Sequence, residues 1–128
     1  MNAIDTTVEM TPAEAEAAVR DALAEQVFGV LTEIDVAATL KAKLGLDRPP
    51  LKIFGACNPS LAARALDIDR SVSLLLPCNV TVEVVDGHTR VAAVDPLELM
   101  SDPRFAELVA EARAGLRAAI DRVATRAR

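Results

Sequence analysis

The chain contains no tryptophan, no tyrosine and only three phenylalanines among its 128 residues. Proteins that hold single-stranded nucleic acid stack bases on aromatic rings, and any phosphate backbone calls for a basic surface. A formal net charge of −5 supplies neither, so nucleic-acid binding is not expected. One histidine and two cysteines, Cys57 and Cys78, fall short of a zinc set. There is also no C-x-x-C pair to suggest thioredoxin-type chemistry. No metal site and no cofactor are expected. No apolar run approaches the roughly 18 residues of a membrane span, so no membrane partner is expected either. The stretch Met1-Asn-Ala-Ile-Asp5 has neither the basic nor the apolar segment of a secretory signal. Two cysteines do not make a disulfide scaffold. A cytoplasmic protein with reduced thiols is the expectation.

What is present is aliphatic. Hydrophobic residues make up 52% of the chain, so the core must be built from Val, Leu, Ile and Ala. A chain of this length forms one domain, 1–128, able to bury about two-thirds of its unfolded surface.

Ile4 to Val8 reads as a threonine-rich edge strand. Thr11-Pro12-Ala13-Glu14 then combines a cap residue, a first-turn proline and a glutamate three after the cap, which predicts a helix. Its stripe is Ala15, Ala18, Val19, Ala22 and Leu23, ending near Gln26. Phe28 to Ile34 alternates as a strand, with Phe28, Val30 and Ile34 on one face. Asp35 caps a helix over Val36 to Leu44, and Gly45 stands where a left-handed terminator is wanted. Leu51 to Cys57 is a short apolar strand. Asn58-Pro59 starts a short helix with Leu61, Ala62, Ala65 and Leu66 on its buried face. Val72 to Leu76 is apolar enough for a buried strand, which Pro77 would interrupt at an edge or bulge.

Asp86-Gly87 is a strong hairpin signal. A two-residue loop sets Glu83 opposite Arg90 and Val82 opposite Val91, with Val80, Val82, Val84, Val91 and Ala93 toward the core. Asp95-Pro96 starts one helical turn. Asp102-Pro103 starts the long last helix, whose stripe runs Phe105, Leu108, Val109, Ala112, Leu116, Ala119, Ile120 and Val123. Arg122, Arg126 and Arg128 close it, suiting the negative end of its dipole. The order β-α-β-α-β-α-β-β-α predicts an α+β fold: a largely antiparallel sheet of four to five strands with helices mainly on one face.

Five segments carry a resemblance: Phe28 to Val36, Thr39 to Gly45, Gly55 to Pro59, Ala65-Leu66 and Leu74 to Val80. Together they resemble the domain-of-unknown-function 302 family, closely over about residues 28 to 95. The resemblance implies a small α+β domain among the TATA-box-binding-protein-like folds, commonly a homodimer. It implies no established activity. One departure is Val27, where the pattern calls for a glycine before the phenylalanine.

The candidate site is the pair of Cys-Asn dipeptides, Cys57-Asn58 and Cys78-Asn79. Cys57 precedes a helix start, where the dipole favours a thiolate; a free cysteine also serves as a small core hydrophobe. If the strands beginning near Leu51 and Val72 run parallel, both cysteines reach the same end of the sheet. An antiparallel pairing would separate them by a strand's length. Asn58 is a helix cap or a ligand-binding amide; Asn79 binds ligand or satisfies a bulge. Glu33 and Asp35 share a strand face, which suits acid–base work or ligand binding. The bland alternative has Asp35 as the cap and Glu33 paired to Lys41 or Lys43. His88 sits in solvent at a hairpin tip. Two functions fit: a homodimeric binding or assembly module with a small-molecule pocket at the Cys-Asn segments, or a thiol-dependent redox or sulfur-handling enzyme using Cys57 and Cys78.

Overall fold

A computed structural model of the chain describes residues 1–126. Arg128, one of the arginines expected to close the last helix, lies outside the described residues. The elements are β1 (Ala3–Val8), α1 (Pro12–Glu25), β2 (Gly29–Asp35), α2 (Val36–Leu44), β3 (Leu51–Cys57) and α3 (Pro59–Ile68). A 3-10 helix (Arg70–Leu75) follows, then β4 (Cys78–Val85) and β5 (His88–Val94). Two 3-10 turns, Pro96–Glu98 and Pro103–Phe105, lead into α4 (Ala106–Arg126). The five strands form one sheet in the order β1-β5-β4-β3-β2, and every neighbouring pair is antiparallel. This is the expected α+β architecture.

Local chemistry explains the boundaries. Thr11 accepts from the Glu14 N–H while Glu14 Oε1 accepts from the Thr11 N–H, a complete capping box with Pro12 in the first turn. Asp35 accepts from the Ala38 N–H, and Gly45 ends α2 in the left-handed conformation. The β4–β5 turn has positive φ at both Asp86 and Gly87, as the tightest hairpin requires. Its register sets Glu83 against Arg90 and Val82 against Val91, as the two-residue loop predicts.

The inward side chains of β1, β3, β4 and β5 meet α1 and α4. Ile4, Phe54, Val80, Val82, Val91 and Ala93 pack with Val19, Leu23, Leu116 and Ile120 in one fully buried cluster. A smaller second cluster (Ala65, Val72, Phe105, Leu108 and Val109) forms between α3, the 3-10 helix and the start of α4. Leu61 of α3 touches both clusters.

Four expectations fail here. A bulge between Val30 and Thr32 sets Val30 opposite the buried Ala56 but Ile34 opposite Ile53 on the other face, so the two do not share a face. Leu66 is exposed and does not belong to the buried face of α3. Val72 to Leu76 is not a strand: Arg70–Leu75 is a 3-10 helix, capped by Asp69 accepting from the Ser71 N–H. It turns Val72 into the second cluster while Leu74 is largely exposed. Pro77 therefore precedes a strand instead of interrupting one. Glu33 also does not pair with Lys41 or Lys43. It faces Arg20 at 3.6 Å and Lys52 at 3.4 Å, because β2 lies beside β3 and under α1. Lys41 instead meets Asp47 at 2.9 Å.

Candidate functional site

The strand assignment decides where the cysteines fall. Because β4 begins at Cys78, its antiparallel pairing with β3 sets Cys78 opposite Ala56 and Asn79 opposite Gly55. Cys57, the last residue of β3, is thus one position from Cys78's partner. The parallel arrangement is overturned, yet the two cysteines share one end of the sheet. An antiparallel strand starting near Val72 would have separated them.

Both cysteines are free and half-buried. They line a cavity of about 50 Å3 with Phe28, Ala56, Leu61, Leu76 and Met100. It sits at the seam of the two apolar clusters, with Leu108, Val109 and Ala112 of α4 as its far wall. Burial pushes the Cys78 thiol above its ordinary range, and the neighbouring Cys57 adds to the shift. Cys78 is therefore a neutral thiol at neutral pH.

Asn58 joins this wall as the N-cap of α3, its Oδ1 accepting from the Leu61 N–H at 3.2 Å. Cap and cavity wall are one role here, since the cap fixes the angle at which α3 leaves Cys57. Beyond it lies a wider cleft of about 430 Å3, lined by Gln26, Asn58, Ser60, Arg64 and Glu111. Phe28 and Leu61 are shared by cleft and cavity. Arg64 and Glu111 pair across this cleft at 2.7 Å.

The other sequence candidates lie elsewhere. Asn79 is exposed and lines a separate concavity on the face of the sheet turned away from α1 and α4, with Thr81, Glu83 and Arg90. The two thiols converge, but the two amides do not. Glu33 and Asp35 stand opposite Phe54 and Lys52, toward the far end of β3. Asp35 is occupied as the α2 cap. His88 is exposed at the hairpin, with Glu9 Oε1 2.7 Å from its Nδ1.

Sequence reasoning missed Phe28, Leu76 and Met100 as cavity residues. Phe28 reaches the cavity because the chain reverses at Val27, which has a φ of 63°. The Phe28 N–H bonds the Leu23 carbonyl and the Val27 N–H bonds the Ala24 carbonyl, a Schellman ending of α1 with valine in the glycine position. The glycine that the family pattern places there was the available signal. Met100 comes from the irregular turn before α4, where periodicity says nothing. Among the described residues no group of three or more His, Cys, Asp or Glu side chains could hold a metal ion, and no helix is long and apolar enough to cross a membrane.

Fold and site together define a small α+β domain: a five-stranded antiparallel sheet, α1 and α4 on one face, and a two-thiol cavity at one end. The chain belongs to the domain of unknown function DUF302 family, whose model matches residues 4–123. It is similar to the crystal structure of an uncharacterised conserved DUF302 protein from Bacillus stearothermophilus, at 31% sequence identity and a TM-score of 0.88. That likeness covers 96% of this chain and 98% of the other. Among curated proteins none matches.

Proposed function

We propose that the chain is a cytoplasmic, homodimeric binding module whose ligand site is the cavity between Cys57 and Cys78. The observation that carries this reading is the cavity itself. Two half-buried thiols from separate strands line an apolar void that two well-packed clusters leave unfilled. Protein interiors keep few voids larger than a water molecule.

Support for the dimer comes from the opposite flank. Of the eleven exposed large hydrophobic residues among those described, five fall between residues 27 and 46: Val27, Leu31, Ile34, Leu44 and Leu46. They surround β2, an edge strand whose outer backbone groups are open to pairing. A second copy meeting β2 about a two-fold axis covers the same patch on both subunits. Sedimentation of the wild type should give a dimer at micromolar concentration, and Leu31→Lys with Ile34→Lys should give a folded monomer. A wild-type monomer under those conditions removes the assembly half of the reading.

The binding half is tested with xenon, which enters dry apolar cavities. Methyl resonances of Leu61, Leu76 and Met100 should shift under xenon pressure while those of Leu116 and Val123 stay put. Uniform or absent shifts would end it.

A thiol-dependent enzyme is the second reading, favoured by Cys57 standing where β3 hands over to α3. In that reading Cys57 attacks a substrate disulfide and releases one substrate thiol. Cys78, raised by burial and so first deprotonated, then attacks the mixed disulfide, releasing the second thiol and leaving a Cys57–Cys78 disulfide. Fast alkylation of Cys57 at neutral pH, lost in Cys57→Ser, is its required result; two slow thiols remove it.

A further inference from the structure

The cavity is too small and too apolar for most of what proteins bind. Its volume of about 50 Å3 compares with about 150 Å3 for an engineered apolar cavity that admits benzene. Its occupant is therefore one atom or a few. A bound water needs two to four polar partners, and hard cations such as Mg2+ or Ca2+ need about six or more oxygen ligands. The walls are hydrocarbon from Phe28, Ala56, Leu61 and Leu76. The one amide side chain in the lining, Asn58, already accepts the Leu61 N–H.

What the lining does offer is sulfur. Cys57 comes from the end of β3, Cys78 from the start of β4, and Met100 from the turn before α4. Three soft donors brought by three separate segments to one void form a selective set. Thiolate and thioether ligands choose Cu(I)-type ions over Mg2+, Ca2+ or Mn2+. Structural zinc wants four nitrogen or sulfur ligands in a closed tetrahedron. The chain's lone histidine cannot help to complete one, because it lies at the β4–β5 turn beside Glu9.

We propose that this cavity is a binding site for a soft monovalent d10 cation, Cu(I) or Ag(I), held by the Cys57 and Cys78 thiolates with the Met100 thioether as third donor. The inference rests on the reading of the cavity as a ligand site and names the class of ligand. Binding releases two protons, one from each thiol, and leaves a complex of net charge −1. The positive end of α3, which begins beside Cys57, offsets part of that charge. The largely hydrocarbon walls offer few oxygen ligands of their own to compete.

The test is an anaerobic titration of the reduced full chain with Cu(I) in competition with bicinchoninate, a colorimetric Cu(I) chelator. One equivalent per chain should be withdrawn from the chelator, with a new sulfur-to-copper absorption in the ultraviolet. Cys57→Ser and Cys78→Ser should each weaken retention by more than the roughly 10–100-fold that loss of an outer-shell partner costs. Met100→Leu, which keeps the packing, should cost about tenfold, less than either cysteine. Cys57→Ala and Cys78→Ala, with circular dichroism to show that they fold, separate ligation from damage to the core.

The inference is overturned if the chelator keeps the copper. It is equally overturned if a folded cysteine variant holds Cu(I) as tightly as the wild type, or if Zn2+ is retained equally well. Xenon entry without Cu(I) retention leaves a dry cavity and removes the cation alone. Failure of both removes the cavity reading with it.

Discussion

Two regions of this small sheet are built on opposite terms. Where β1, β5 and β4 lie under α1 and α4, Ile4, Val19, Leu23, Val80, Val91 and Leu116 are sealed from water. Across the sheet, β2 and α2 have no buried residue between them, and Leu31 and Leu44 are each about two-thirds exposed. Apolar residues make up more than half of both regions. The difference lies in what covers them: the long C-terminal helix reaches back over β1 and α1, while α2 is nine residues long and has nothing packed on its outer side. The packed region is held by burial. The β2–α2 flank is held by caps, ladder hydrogen bonds and ion pairs, which leaves its apolar surface exposed.

The largest effect expected from that contrast is in truncations. Leu116→Ala empties a fully buried site and should cost about 3–5 kcal/mol. Leu44→Ala on the exposed flank should change monomer stability by less than about 0.5 kcal/mol. Urea unfolding midpoints of the two variants measure the difference. Equal losses would mean that the flank is already packed on something in solution, and a loss for Leu44→Ala that grows with protein concentration would identify it as the second subunit.

A smaller effect comes from Asp95, the one buried acid among the described residues. Burial raises the Asp95 carboxyl, but the Leu97 N–H, the Arg113 guanidinium at 2.8 Å and the more distant Arg117 outweigh it and hold the group below its usual range. A depressed carboxylate stabilises the fold at pH values above its unfolded pKa of about 3.9, and the contribution is lost as pH falls through the folded value. Arg113→Ala should therefore cost about 1.5–3 kcal/mol at neutral pH. The gap from wild type should hold steady down to the ordinary carboxylate range and close below it. Stability against pH for the two proteins measures this, and a gap that persists in acid would show that the loss came from packing.

Near the boundary of the two regions, Gly55 is held tight on the outer face. A Cβ there would run into the Thr32 side chain and come within 2.7 Å of Pro77 Cγ. Gly55→Ala should cost about 1–3 kcal/mol. Because Asn79 pairs with Gly55, next to Cys78, the same variant should disturb β4 beside the cavity. Xenon-induced shifts at Leu76 report it. An unchanged cavity would mean that the strain spreads toward β2 alone.

How much of this was legible follows from the same contrast. Caps, the hairpin turn and the stripes of α1 and α4 were readable because each is set by neighbours close in sequence. The sheet order and the cavity were not, since they depend on whether Val72 to Leu76 extends or coils. A short apolar run satisfies both readings, and only Asp69 capping the Ser71 N–H, with Val72 turning into the second cluster, decides it. That single element moved the start of β4 to Cys78. It brought the thiols together by an antiparallel route and sent Asn79 to the other face. The ion pairs of Glu33 were equally illegible, because Arg20 and Lys52 become its neighbours through the sheet and not through the chain.

The smallest expected effect runs the other way, toward more stability. Val27 ends α1 in the left-handed region, where a β-branched side chain is crowded by its own backbone. Its side chain is 67% exposed, so little packing is lost on removing it. Glycine accepts this φ freely, and the gain is partly offset by the greater freedom of glycine in the unfolded chain. Val27→Gly should therefore raise stability by about 0.5–1 kcal/mol, read as a higher urea midpoint at low protein concentration. If β2 is the dimer contact, the same change also removes one of the five exposed apolar side chains around it and should weaken the dimer in sedimentation. A monomer made firmer while its dimer is made weaker would place the valine's use at the subunit contact; a dimer left unchanged would place that contact elsewhere on the molecule.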